Sequence, residues 1–272
     1  MGRKPSTAGA GAGSIGSGPI SRTQPMASQW QNFLANLGAW QGSFTGLSPT
    51  GTVLKDTPSL LSLEAGEQGA DGAITMVRFR LQRFEGGDRS AAPSSDLSQE
   101  YRSLGRQVVF FDTGTFCKGS LQLAPGTVFG GEFGFVHGDR RHRLVLLYGE
   151  TGLADQLVLI REFRVGSDAQ ECPPLTAEQV LGPWRGNRAT ITADWPEPDR
   201  AEAQVSFSAA EMAQWQWLAD GGYCRWPQQV SHRDAFSVEA GWLTAPDRLE
   251  RLIRHYDGSG AWVSATHEVL HR

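Results

Sequence analysis

L-G-A-W-Q-G-S-F, residues 37–44, decides the fold, because the chain repeats it as L-G-P-W-R-G-N-R at residues 181–188. The leucine, the tryptophan and both glycines recur at the same relative positions, 144 residues apart. Ahead of each copy, a hydroxyl residue is followed three positions later by glutamine, as Ser28 with Gln31 and Thr176 with Gln179. This spacing is the capping box that starts a helix. Each copy therefore predicts a short capped helix that leads through Gly-x-Trp-x-Gly into a strand.

Outward from the first copy, the sequence reads as short strands separated by turns. Residues 73–84 alternate, with Val77, Phe79 and Leu81 on one face and polar residues on the other, which is typical of a half-buried antiparallel strand. Similar runs lie at residues 107–112, 115–123, 127–137, 141–148 and 156–165, with weaker ones at 42–47, 51–57, 60–64 and 98–104. Regular short strands of this kind predict an all-β chain built as an up-and-down barrel or sandwich.

The second half of the chain repeats the first on a smaller scale. At an offset of 107 residues, Phe116-Cys-Lys matches Tyr223-Cys-Arg, and Glu132-Phe-Gly-Phe matches Glu239-Ala-Gly-Trp. One residue later, Arg143 matches Arg251. The offset falls from 144 to 107, so the second copy is about 37 residues shorter. The pattern predicts two tandem antiparallel β-barrels, residues 26–165 and 175–272, joined by the polar, proline-containing linker 166–174.

Residues 1–25 differ in composition from the rest of the chain. They contain six glycines, four serines, three basic residues and no acidic residue. Such a segment has too little apolar surface to fold, which predicts a disordered tail. It either precedes a natural start at Met26 or is an expression-derived addition. Two sharper alternatives are an N-myristoylation signal at Gly2 and an organelle transit peptide.

The totals exclude several classes of protein. A net charge of −4 argues against a nucleic-acid-binding protein, and no apolar run approaches the roughly 20 residues of a transmembrane helix. The three cysteines, Cys117, Cys172 and Cys224, are odd in number and widely spaced. A secreted disulfide framework is therefore not expected, and a reducing compartment is.

The repeated motif has a structural interpretation. In a small barrel, the entry helix covers one open end, the glycines allow close backbone approach, and the tryptophan fills the base of the core. An arginine on the last strand, next to the first strand, would lie over the indole face. We expect Arg161 or Arg164 to serve Trp40 in this way, and Arg272 to serve Trp184.

These features resemble the lipocalin and calycin superfamily. The order S-x-W-x-N-F-L-x-N-L-G-x-W-x-G-S-F, in two barrels, is similar to a cyanobacterial and plastid family described only as a domain of unknown function. The resemblance runs from Gln29 to the C-terminus. It implies two lipocalin-like barrels in a photosynthetic organism, in the cyanobacterial cytosol or in a plastid. It implies no activity.

The sequence contains no recognisable catalytic or metal-binding motif. Cys117 and Cys224 occupy equivalent repeat positions, where a buried packing residue is expected. Glu132 and Glu239 each interrupt an aromatic, glycine-rich strand. Alternation leaves two possibilities for Glu132: solvent, which we favour, or the barrel lumen, where it would pair with arginine. No catalytic residue and no metal are therefore predicted, and any cofactor is unknown.

The leading functional hypothesis is a binding module. The first barrel would hold a small apolar ligand of the tetrapyrrole, carotenoid or lipid class. A tryptophan cluster is expected to fill the second lumen: Trp215, Trp217, Trp226, Trp242 and Trp262. The residues expected to line or orient the ligand, with Tyr148 near a barrel rim, are Arg78, Arg80, Glu132, Tyr148 and Arg161.

Two further hypotheses come from other classes of function. The protein would be an assembly or chaperone factor that presents a surface to a protein partner, or an enzyme resembling chromophore lyases or isomerases. A packed lumen would favour the assembly factor, whereas an ionisable cluster inside a cavity would favour the enzyme.

Overall fold

Residues 28–272 are described by the computed structural model, which is almost entirely antiparallel β-structure. The predictions for residues 1–25 fall outside this range. The first half comprises α1 (Gln29–Leu34), β1 (Gly38–Leu47), β2 (Val53–Ala65), β3 (Val77–Arg83), β4 (Ser95–Tyr101), β5 (Val108–Phe110), β6 (Phe116–Gly119), β7 (Phe129–His137), β8 (Arg140–Tyr148) and β9 (Ala154–Arg164). The second half begins with a 3₁₀ turn (Ala177–Gln179) and continues with β10 (Gly182–Thr192), β11 (Asp199–Phe207), α2 (Ala209–Met212), β12 (Gln216–Trp217), β13 (Gly222–Arg225), β14 (Phe236–Ala245), β15 (Arg248–Tyr256) and β16 (Trp262–His271).

The strands form two sheets of related topology. The first sheet has the order β4-β3-β2-β1-β9-β8-β7-β6-β5, and the second has the order β11-β10-β16-β15-β14-β13-β12. In each sheet, the strand that comes last in the sequence pairs with the strand that comes first: β9 with β1, and β16 with β10. Within residues 28–272, no ladder joins the two edge strands of either sheet, so the first sheet is a curled half-barrel. The seven residues of β4 are mostly exposed and β5 has only three residues, which leaves little apolar surface to drive closure.

The repeated motif forms the same structure in both sheets. The Ser28 and Gln31 side chains make a reciprocal capping box at α1, and Gln179 accepts from the Thr176 N–H in the second half. The first motif glycines, Gly38 and Gly182, have φ of +137° and +101°, in the region that favours glycine. A Cβ at either second glycine would lie 1.9 Å from a carbonyl oxygen of the last strand. The motif thus turns the chain out of the helix and lets the first strand approach the last.

Each sheet has two buried faces of different kind. The helix-side face carries the motif tryptophan and is covered by the entry helix or turn, with Phe33 beside Trp40 and Val180 beside Trp184. The opposite face, which we call the shared face, packs against the other sheet. Its core joins Phe133 and Phe135 of the first half to Trp242 of the second.

This shared core changes the interpretation of the tryptophan cluster. Trp226, Trp242 and Trp262 lie in the shared core, whereas Trp215 and Trp217 pack on the helix-side face of the second sheet. The expectation that all five fill one lumen was therefore wrong for three of them. None of the helices in residues 28–272 has the length and apolar character needed to cross a bilayer.

Candidate functional site

The arginine that stacks on each motif tryptophan is the final arginine of the sheet. Arg164 Cζ lies 4.3 Å from the Trp40 ring centroid, and its Nη1 donates to Leu37 O at 3.2 Å. Arg272 Cζ lies 4.7 Å from the Trp184 centroid, and its Nη2 donates to Gln179 O at 2.8 Å. The indole N–H groups donate to carbonyls four residues earlier, at 3.1 and 2.7 Å. Each arginine thus joins the end of its sheet to the entry segment.

Arg161 does not take part in this arrangement. It pairs opposite Ser43 on the other face of β9, where its Nη2 donates to Thr45 Oγ1 at 2.8 Å. Its Nη1 donates to Glu171 Oε1 at 2.7 Å, in the segment between the two sheets. Arg161 therefore connects the first sheet to residues 166–174 and does not contact Trp40.

The helix-side face of the first sheet contains a cavity of about 290 Å³. Its walls are mainly apolar and its floor is charged. The apolar wall is contributed by α1 and by strands β2, β3, β5 and β6: Phe33, Leu61, Leu63, Phe79, Val108, Phe110 and Phe116. Four charged residues form the floor: Lys118, Glu132, Arg141 and Arg143. An apolar cavity with a few convergent polar groups is the usual form of a small-molecule site.

Glu132 is the centre of the charged floor. It is buried, and its two carboxylate oxygens pair with Arg143 Nη1 and Lys118 Nζ, each at 2.8 Å. Burial by itself would raise the pKa of Glu132, but Arg143 and Lys118 outweigh it and lower the pKa. The solvent-facing position that the sequence favoured for Glu132 is therefore wrong. Phe133 and Phe135 face the other sheet, so the charged side of β7 faces the cavity.

Arg143 also binds the second buried carboxylate of this face. Its Nε and Nη2 donate to the two oxygens of Glu162 at 3.0 and 2.9 Å. Arg143 therefore connects Glu132 with Glu162, and both carboxylates are neutralised within the sheet. A bidentate arginine held from two sides is a rigid element, because its planar guanidinium is fixed by geometry as well as charge.

Arg141 is the functional candidate that the sequence missed. The sequence predicts it at the start of the strand 141–148 but assigns it no role; in the structure it lies within β8 on the same face as Arg143. Its side chain is 3% exposed, its Nη1 lies 3.2 Å from Glu162 Oε2, and its Cζ lies 5.2 Å from the Trp40 centroid. Its Nε and Nη1 make no hydrogen bond within residues 28–272. Burial lowers the pKa of Arg141 to about 10. In the sequence, Arg141 and Arg143 flank His142, so they lie on the same face of the strand. This alternation is the sequence signal that could have identified Arg141.

The remaining residues expected at the ligand lie elsewhere. Arg78 and Arg80 are exposed on the face of β3 opposite the cavity, and Arg80 Nη2 pairs with Asp96 at 2.6 Å. Tyr148 is fully buried in the shared core and not at a rim; its hydroxyl donates to Pro227 O at 3.1 Å. Of the five residues expected to line or orient the ligand, only Glu132 lines the cavity.

The second sheet contains the same charged floor with its cavity filled. The charged floor is repeated by residues at an offset of 107, or of 108 for Arg251. The equivalent residues are Tyr223 for Phe116, Arg225 for Lys118, Glu239 for Glu132 and Arg251 for Arg143. Trp215 takes the position of Val108 and stacks on Tyr223, with ring centroids 3.8 Å apart and an interplanar angle of 5°. The indole thus occupies the space that the smaller Val108 leaves open in the first sheet.

The cysteines and potential metal ligands form no site of their own. Burial raises the pKa of both Cys117 and Cys224, which lie in the shared core. Within residues 28–272, His, Cys, Asp and Glu side chains are nowhere grouped to hold a metal ion. The cavity is therefore the candidate site of this part of the chain.

The chain is an all-β protein of two antiparallel sheets that pack back to back, and each sheet is entered through a capped turn. We call the concave helix-side space of each sheet its cup; the cup of the first sheet contains the cavity. The chain belongs to the DUF3598 family, since the model of the N-terminal part of that domain of unknown function matches residues 26–167. Residues 201–272 match the C-terminal domain of Biogenesis factor required for ATP synthase 1.

One solved structure supports the family assignment. A DUF3598-family protein of unknown function from Nostoc punctiforme PCC 73102 is 35% identical, with a TM-score of 0.74 over 91% of this chain and 100% of that one. The S-type phycobiliprotein lyase of Guillardia theta is 10% identical over 90% of this chain and 93% of the other, with a TM-score of 0.19. No curated protein matches the chain.

Proposed function

We propose that the protein binds a small, largely apolar ligand in the cavity of the first sheet. The observation that carries this proposal is the difference between the two copies: Trp215 fills the cup of the second sheet, whereas Val108 leaves the equivalent space of the first sheet open. Because an empty apolar cavity costs stability, a cavity kept beside a sealed copy indicates a function. Tetrapyrroles, carotenoids and lipids remain the expected classes.

The experiment is a fluorescence titration of the full chain with N-phenyl-1-naphthylamine, a neutral aromatic probe. We expect saturable binding at one site per chain. Val108→Trp places in the first cup the residue that the second cup already accommodates, and we expect it to weaken binding at least about tenfold. Val53→Trp, at an exposed position on β2, is the matched control and should bind like the parent. Equal binding by the two variants would refute the location, and no saturable binding by the parent would refute the function.

A second candidate function, assembly of a protein complex, is favoured by one observation. The match of residues 201–272 is to a domain whose name refers to the biogenesis of ATP synthase. We infer that the second sheet presents a surface to a subunit of such a complex. Co-elution of the full chain with the purified soluble part of ATP synthase in size-exclusion chromatography would support this role, and separate elution at micromolar concentrations would contradict it.

A further inference from the structure

The charged groups around Arg143 do not balance. Two carboxylates, Glu132 and Glu162, face three cations, Lys118, Arg141 and Arg143. Arg143 and Lys118 occupy both oxygens of Glu132, and Arg143 also takes both oxygens of Glu162. Arg141 has only the 3.2 Å contact to an oxygen already bound by Arg143. One buried cation is therefore left without a carboxylate of its own.

The hydrogen bonds of Arg141 show the same deficit. At 3% exposure, its Nε and Nη1 have no hydrogen-bond partner within residues 28–272, although the residue lines the cavity. An unsatisfied buried charged donor is costly, and a carboxylate or sulfonate that enters the cavity would satisfy it with charge-assisted hydrogen bonds. The position is thus complementary to an anion.

The duplication supplies independent support. Leu249 stands at the position of Arg141 in the second sheet, because β15 pairs it with Leu270, whereas β8 pairs Arg141 with Glu162. Glu162, the carboxylate that Arg141 contacts, is replaced as well, by Leu270, so the charged pair Arg141–Glu162 corresponds to the apolar pair Leu249–Leu270. A buried arginine therefore lies at this position in the copy that contains the cavity, and leucine lies there in the copy where Trp215 fills the space.

The second sheet also shows which shape fits this space. The Tyr223 ring lies directly on Gly241, where a Cβ would come within 2.0 Å of it, and the Trp215 indole stacks on Tyr223. In the first sheet, the Phe116 ring lies on Gly134 in the same way, where a Cβ would come within 2.2 Å. Phe116 lines the cavity, so a flat ring has a matching surface there.

We propose that the ligand of the first cup is a planar aromatic or conjugated acid, with its ring against Phe116 and its acidic group on Arg141. This inference rests on the proposed function and specifies its ligand class. Arg141 acts as a specificity residue: it selects the acid over a neutral molecule of the same shape. The carboxylates of the floor hold Arg143 and Lys118, which keeps those two cations from replacing Arg141.

The test compares two probes that share one ring system. Anilinonaphthalene sulfonate carries an acidic group that N-phenyl-1-naphthylamine lacks. We expect the full chain to bind the sulfonate about tenfold or more tightly than the neutral probe, as one charge-assisted hydrogen-bonded pair predicts. In Arg141→Leu, which introduces the residue of the second copy, the ratio of the two affinities should fall to about one. Val108→Trp should lower the affinity for both probes, which would place their binding site in the cavity.

The outcomes separate the two proposals. Binding of the neutral probe with no preference for the sulfonate, or a preference that survives in Arg141→Leu, would overturn the acid assignment and leave the cavity as a binding site. Failure of both probes to bind the parent would overturn the binding function itself. The parent comparison uses no variant, so it stands even if Arg141→Leu is poorly folded.

Discussion

Gly42→Ala should destabilise the protein, because the second glycine of the motif sets the distance between β1 and β9. Gly42 pairs opposite Glu162, and an added Cβ would lie 1.9 Å from the Arg161 carbonyl oxygen, whereas real Cβ contacts stay above 3.0 Å. The strands must therefore separate by about 1 Å, which weakens two ladder hydrogen bonds worth about 1 kcal/mol each and adds overpacking of about 1–3 kcal/mol. The lower chain entropy of alanine offsets only about 0.5–1 kcal/mol. A net loss of about 2 kcal/mol or more is expected.

The assay is equilibrium urea unfolding followed by tryptophan fluorescence, and Gly149→Ala is the matched control. A Cβ at Gly149 would meet nothing within 4 Å, so this substitution should change the free energy of unfolding by no more than about 0.5 kcal/mol. Gly186→Ala, with the same 1.9 Å approach to Val269 O, should behave like Gly42→Ala. If Gly42→Ala proves as stable as Gly149→Ala, close strand approach is not the reason for the glycine.

Two further predictions concern buried charges. Asp220 of the second half pairs with Arg140 of the first and accepts a hydrogen bond from the Cys172 N–H at 2.8 Å. Its φ is 58°, a conformation that asparagine adopts more readily than alanine. In urea titrations, Asp220→Ala should therefore lower the free energy of unfolding by about 3 kcal/mol, and Asp220→Asn by clearly less. Arg143 and Lys118 lower the pKa of the buried Glu132 below its ordinary 4.5, so the stability it contributes is present above pH 4.5 and is lost as the pH falls through the lower folded value. Glu132→Gln should therefore show a smaller fall in Tm between about pH 5 and pH 3 than the parent, and an equal fall would contradict the ion-paired role.

Much of the fold follows from local sequence signals. The Ser28 capping box begins α1, and the alternating residues 73–84 contain β3. The offset of 107 relates equivalent positions of the two sheets, since Phe110 pairs with Phe116 as Trp217 pairs with Tyr223. These features depend on residues close in sequence or on the comparison of one copy with the other. The propensities and spacings therefore suffice to predict them.

The orientation of β7 could not be predicted in the same way. In a barrel that stands alone, the apolar face of a strand points inward, so Phe133 and Phe135 would line the lumen and Glu132 would face solvent. Here the apolar outer faces of two sheets pack together, so the phenylalanines lie between them and Glu132 lies in the cup. Alternation shows that two faces differ, but not which neighbour covers each. The same ambiguity concealed Arg141, because its ion-pair partner Glu162 lies on another strand, β9.

The shared core explains how one cup can remain open. Each sheet buries its outer face against the other, so the apolar surface that stabilises the chain lies largely between the sheets and not inside the cups. Buried charges and a cavity both lower the free energy of unfolding. The helix-side face of the first sheet can contain both, because the core between the sheets offsets this loss. A free-standing barrel of this size would have to offset it within its own lumen. In the second copy, Trp215 fills the equivalent space and Leu249 stands in place of Arg141, while Glu239 and Arg251 remain as buried charges. The second sheet thus gains apolar packing above its charged floor, whereas the first sheet keeps a cavity above the equivalent floor.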